Sequence, residues 1–241
     1  MAGNQAPIDK RDGIEPYSPF VTEERREGSG VPLSLRGYTL ALTGLVFLGF
    51  VVMGACASLF GNVSFLLAVM DSFLLLTVLS FAGSIAGVVM MGSARKSQRV
   101  GLSLAGYALF VASFGFMTST ILLMYTAQTI STAFIATAGI VVVFACLGVA
   151  FPRVFERIQG VLGVSLLALI VVHLVMSFMG VYQTWIDVAV IVVFCGFIGY
   201  DFHRAMNDEP TLVNAAFNAS QLFLDIINVF IRVLSIFGRQ N

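Results

Sequence analysis

Six polar residues of the chain stand at helical spacing inside an otherwise apolar stretch. Asn214, Asn218, Gln221, Asp225, Asn228 and Arg232 follow one another at intervals of four, three, four, three and four, and Ser235 and Arg239 continue the series. At about 100° per residue these positions share one face of a helix. The other faces carry Leu212, Phe217, Phe223, Ile227, Phe230 and Leu234. A row of amides, one carboxylate and one guanidinium does not lie against lipid. It faces other protein or a watered path through it.

Asp225 has a candidate partner. Asp201 precedes it by twenty-four residues, near the end of the preceding apolar run. Two antiparallel helices bring the pair level if the turn between them is centred near residue 213. The turn signal Asn207–Asp208–Glu209–Pro210–Thr211 falls a few residues early. Contact therefore asks for a longer sixth helix or an extended linker. If the two meet, both carboxylates cannot stay ionised in low dielectric without a cation. They share a proton and titrate as a pair, and calcium competes with protons for the oxygens. The functional reading is a pH-sensitive cation site, with Asp201 and Asp225 as transient calcium ligands. The alternative is two unrelated carboxylates, Asp201 reaching toward headgroups and Asp225 bonded within its own helix or to a neighbour. The spacing leaves both open.

These residues need a membrane scaffold. The chain is 58% hydrophobic and 11% charged, where soluble domains run at about 25% charged. Its mean hydropathy is +0.94. This is an integral, multi-pass membrane protein of the all-α class, with the lipid bilayer as its first partner and no nucleic-acid role. Apolar runs long enough to span about 30 Å of hydrocarbon occur at 38–60, 65–91, 101–125, 129–151, 161–180, 184–203 and 212–237. That makes a seven-span domain over residues 37–241. Residues 1–36 read as a disordered hydrophilic tail, rich in Pro and in both charge signs and without the apolar core of a signal peptide. Lys and Arg gather in the tail and in the second, fourth and sixth breaks, which the positive-inside rule puts in the cytoplasm together with the N-terminus. Seven crossings leave the C-terminus outside, where Arg239 fits poorly, so a re-entrant last segment stays open.

The remaining polar residues read more plainly. Asp71 and Asp187, the latter beside Trp185, sit at outer span edges as interfacial carboxylates. His173 reads as a packing histidine and His203 as a headgroup neighbour. Cys56, Cys146 and Cys195 lie in apolar runs and read as small core residues, with no disulfide framework or thiolate metal site. Gly83-x-x-x-Gly87 permits close helix approach. No cofactor is expected.

Tyr200–Asp201 ending the sixth span, Ala219–Ser220–Gln221–Leu222–Phe223–Leu224–Asp225–Ile226–Ile227–Asn228–Val229–Phe230 in the seventh, and Thr132 to Thr137 in the fourth together resemble the Bax inhibitor-1 family, bacterial type. The resemblance covers about residues 37–238. It implies seven helices with the last one central and wrapped by the other six. It implies that Asp201 and Asp225 form a di-aspartyl pH sensor gating a calcium leak. It also implies an arginine at the inner end of the second span that latches Asp201; the stretch Met90 to Lys96 offers Arg95 as the candidate latch.

Two other functions fit the same residues. One is a non-transporting regulator that binds another membrane protein, such as a protease, through the tail. The other is an intramembrane aspartyl protease, since Tyr200–Asp201 resembles half of that class's motif. However, Asp225 follows Phe223–Leu224 instead of glycine-x-glycine, so no enzyme is expected. A retinal protein is excluded, because the lysines are Lys10 and Lys96 and the last span offers no Schiff-base amine.

Overall fold

The computed structural model describes residues 31–180 and 184–239, all as helices and short connections. Most of the expected tail lies outside the described residues. Its last part does not: α1 (Leu35–Leu59) begins inside the expected tail boundary, capped by Ser34, whose hydroxyl accepts from the Gly37 amide.

The expected second span is broken. Asn62 caps a nine-residue helix, α2 (Val63–Asp71), and Ser72 separates it from α3 (Phe73–Ser97). The polar pair Asp71–Ser72 interrupts the apolar run, and nine residues at 1.5 Å each are too short to cross a bilayer. α4 (Val100–Leu122) and α5 (Ala127–Ala150) follow. α6 (Pro152–Phe178) starts nine residues earlier than the apolar run suggests. Pro152 opens the helix rather than breaking it, because the first turn needs no amide there. α7 (Thr184–Met206) runs three residues past its expected end, and α8 (Leu212–Gly238) starts at Thr211, whose hydroxyl accepts from the Asn214 amide. Among the described residues, seven helices are long and apolar enough to cross a membrane: all but α2.

α8 is the hub of this helical membrane bundle. It packs against α1, α3, α4, α5 and α7, while α6 packs on α7 and more lightly on α5. The hub is therefore enclosed by five long helices rather than six. Its centre is Phe223, fully buried, with the rings of Phe50, Phe110 and Phe114 set edge-on around it. α3 and α4 pack closely along Gly87 and Gly106. A Cβ at Gly87 would meet the backbone of Gly106 and Phe110, so only glycine lets the two helices approach this far.

α8 is a single 27-residue helix antiparallel to α7 along its whole length. Pro210 and Thr211 lie at one end of the bundle, and Arg239 reaches Thr184 at the other. No re-entrant turn occurs among the described residues. The two ends are called here the Asp208 end and the Asp187 end.

Candidate functional site

The polar face of α8 points inward. Asn214, Asn218 and Asp225 are all buried. Its row divides into three polar knots, each built around an aspartate supplied by α7 or by the turn after it.

The middle knot is the expected carboxyl pair. Asp201 and Asp225 are 6% and 5% exposed, and their carboxyl groups face each other within hydrogen-bonding reach. The longer α7, ending at Met206, supplies the register that the early turn seemed to deny. A hydrogen bond between two carboxyl groups needs one proton between them. Asp225 Oδ2 is buried and accepts no hydrogen bond from an amide, guanidinium or hydroxyl donor among the described residues. Arg204, one turn beyond Asp201 on α7, brings its Nη2 to 3.1 Å from Asp201 Oδ1. That distance is ion-pair range, yet Nε and Nη2 make no aligned hydrogen bond. The guanidinium also lies over the Tyr200 ring at 5.7 Å. The pair thus has one cation at its edge, and Asp201 is the polar group left to face Asp225.

The second knot, at the Asp208 end, corrects the expected latch. Arg95 does not reach Asp201. Its Nη2 donates to Asp208 Oδ2 at 2.6 Å, and its guanidinium lies over the Phe217 ring. Arg95 is in the last turn of α3, level with the α7–α8 turn, whereas Asp201 lies two helical turns farther back along α7. Asp208 also accepts from Asn214 Nδ2 at 3.3 Å and Asn218 Nδ2 at 2.9 Å. Asn218 Nδ2 further donates to Tyr38 Oη, which itself donates to the carbonyl of Ala205. One carboxylate therefore ties α3 and α8 together, and α1 through Asn218. The Pro32–Thr211 bridge straps the chain before α1 onto the same turn, with Leu33 N donating to Pro210 O at 2.7 Å and Leu212 N to Val31 O at 3.2 Å.

The third knot corrects the reading of Asp187. It is 3% exposed rather than interfacial. Arg232 Nη1 donates to its Oδ1 at 3.1 Å, Ser235 Oγ donates to Oδ2 at 3.2 Å, and Arg239 Nη2 stands 3.1 Å from Oδ2. This also accounts for Arg239, a cation at the end of α8 that pairs with a buried carboxylate.

Two members of the row stay outside the knots. Gln221 is half-buried and makes no hydrogen bond among the described residues, and Asn228 Nδ2 donates to Leu224 O of its own helix. His203 Nε2 lies 3.1 Å from Glu156 Oε1 on α6. His173 lines a cavity shared with Asn228 and Arg232. Among the described residues, no three His, Cys, Asp or Glu side chains gather in a metal-holding group. The carboxyl pair could therefore offer an ion its own oxygens and little else. Sequence reasoning missed Asp208, Arg204 and Tyr38. Arg204 carried a signal, standing three residues from Asp201; Asp208 was read only as part of a turn.

A family model described as Inhibitor of apoptosis-promoting Bax1 matches residues 34–241. The chain belongs to the Bax inhibitor-1 family. This Bax inhibitor-1 family member is similar to an uncharacterized membrane protein of Streptococcus pyogenes serotype M3, 29% identical over 161 residues, which are 64% of this chain and 69% of that protein. Bax inhibitor 1 of Schizosaccharomyces pombe is 31% identical over 159 residues, 63% of this chain and 58% of that one. The inner membrane protein YbhL of Escherichia coli K12 is 26% identical over 164 residues, 64% of this chain and 70% of its own. With its seven apolar helices, this family member is a multi-pass membrane protein.

Proposed function

We propose that this protein is a pH-sensitive cation leak, with calcium as the permeating ion, gated by the Asp201–Asp225 pair and oriented with its N-terminus in the cytoplasm. One observation carries the reading: two carboxyl groups on adjacent helices are buried against each other, and Asp225 Oδ2 takes no hydrogen bond from any amide, guanidinium or hydroxyl among the described residues. Sharing a proton holds α7 and α8 together. Losing it leaves two like charges a few Å apart, with a repulsion of about 4 kcal/mol at an effective dielectric of 20 and 4 Å separation. Arg204 at the edge offsets part of this. The rest is relieved when the helices part or a cation enters. Flux then rises with pH, because deprotonation creates the charge that opens the path and attracts the ion.

Calcium flux through the purified protein in liposomes, followed across a pH series, tests this. The wild type gains flux as pH rises. Asp201→Asn with Asp225→Asn removes both charges and flattens the profile. An unchanged pH profile in that double variant refutes the gate.

A second reading, a non-transporting regulator of another membrane protein, draws on the strap. Residues 31–33 bond directly to the α7–α8 turn, so a partner holding the preceding residues would act on the Asp208 knot. In that case the purified protein carries no flux at any pH.

A further inference from the structure

A cavity of about 560 Å³ opens between α4 and α6, floored by α7 and α8. It falls within the size range of ligand clefts, about 300–1,000 Å³. Its two walls, α4 and α6, are not packed neighbours, so the gap between them faces the surroundings of the bundle. Its polarity is graded along its length. Phe114, Leu169 and Leu224 line its deeper part, and Thr118, His173, Asn228 and Arg232 supply its polar groups. His173 is five residues from the end of α6 and Arg232 six from the end of α8. At 1.5 Å per residue, both lie within roughly 10 Å of the Asp187 end. The shape suits a molecule with a polar head at that end and an apolar body directed inward.

The charge says which head. Arg232 and Arg239 share one carboxylate, Asp187. Asp71 at the α2–α3 junction is exposed and pairs with neither among the described residues. Among the described residues, two guanidiniums on one buried carboxylate leave a positive excess, partly withdrawn from water, since the Arg232 side chain is 24% exposed. A positive excess at the mouth of an apolar cleft is complemented by an anion attached to an apolar chain. Guanidinium favours the planar, two-oxygen grip that phosphate offers.

We propose that this cleft binds an anionic phospholipid, its acyl chain between α4 and α6 and its phosphate at Arg232, the guanidinium that lines it. The site rests on the cavity and the charge count and is independent of the leak reading.

Photo-crosslinking tests it. The full chain is reconstituted in nanodiscs containing phosphatidylglycerol with a diazirine in one acyl chain, or the matching phosphatidylcholine at the same mole fraction. Adducts are mapped by peptide mass spectrometry. Phosphatidylglycerol adducts are expected on the cleft-lining segments of α4, α6 and α8, several-fold above the phosphatidylcholine yield. Arg232→Gln should lower them to the phosphatidylcholine level. Since that change also disturbs Asp187, Ile170→Trp provides a second variant. Ile170 lines the cleft and is 55% exposed, so the indole fills the gap between α4 and α6 where the acyl chain would lie and leaves the knot intact. Equal labelling by the two lipids, labels spread evenly around the bundle, or wild-type labelling in Ile170→Trp overturns the proposal.

Discussion

Removing the Asp208 carboxylate takes an acceptor from three donors at once: the Arg95 guanidinium and the amides of Asn214 and Asn218. They do not lose equally. The Arg95 side chain is 35% exposed, so water and salt can take over its charge, and pairs of that kind contribute about 1 kcal/mol or less. Asn218 is 1% exposed, and water does not reach it as easily. Its Oδ1 already lacks a partner, so the Nδ2 contacts are the ones that hold the amide. Asp208→Ala should therefore destabilise the protein by about 1–3 kcal/mol, the cost of a lost hydrogen bond to a charged group plus a poorly satisfied amide. Arg95→Gln should cost clearly less. Denaturant unfolding in detergent micelles measures both. If Arg95→Gln proves as damaging as Asp208→Ala, the ion pair rather than the buried amides holds this end. At the Asp187 end the carboxylate is buried more deeply still, and both of its cationic partners are partly exposed.

At the scale of the helices, α8 inverts the pattern of a helix on a soluble protein, which turns its apolar stripe to the core. Its polar row faces the bundle, and it is held less by hydrophobic burial than by close packing and hydrogen bonds, as expected where lipid competes equally for apolar surface. Phe223 is the packing centre of that contact. Phe223→Ala removes a ring enclosed by Phe50, Phe110 and Phe114 and should cost about 3–5 kcal/mol, the range for deleting a buried aromatic side chain. A midpoint shift in thermal unfolding below the equivalent of about 1 kcal/mol would mean that neighbouring helices collapse into the space. Much of this level could be read from the chain. The seven apolar runs became seven long helices because length and apolarity decide spans, and the row from Asn214 to Arg232 was visible because helical spacing is local. What could not be read depended on end geometry. Pro152 looks like a break and is a helix start; Asp71–Ser72 looks like the interior of a span and is a break. Both depend on whether the backbone finds partners there, and composition does not report that. Asp187 looked interfacial because its partners, Arg232 and Arg239, are some fifty residues away in sequence. Arg95 found Asp208 rather than Asp201 because the axial level of α3 against α7 is set by packing, for which a single sequence carries no ruler.

Across the whole molecule, the three knots place a charged cluster at each end of α8 and a carboxyl pair between them, so whatever moves one end of that helix is felt along the row. The strap at residues 31–33 provides a handle at the Asp208 end. It is held by two backbone hydrogen bonds, Leu33 N to Pro210 O and Leu212 N to Val31 O, and it joins α1 to the cap of α8. Deleting residues 1–30 leaves both bonds in place; deleting 1–33 removes both while sparing Ser34, the cap of α1. Hydrogen–deuterium exchange separates the cases. The shorter deletion should leave exchange at the α7–α8 turn as in the full chain. The longer one frees the Leu212 amide and loosens the turn that carries Asp208, so exchange there should rise by an order of magnitude or more if each bond contributes about 1 kcal/mol. Protection persisting in the longer deletion would show that the turn is held by the Asp208 knot alone, and the segment before α1 would then have no mechanical hold on α8.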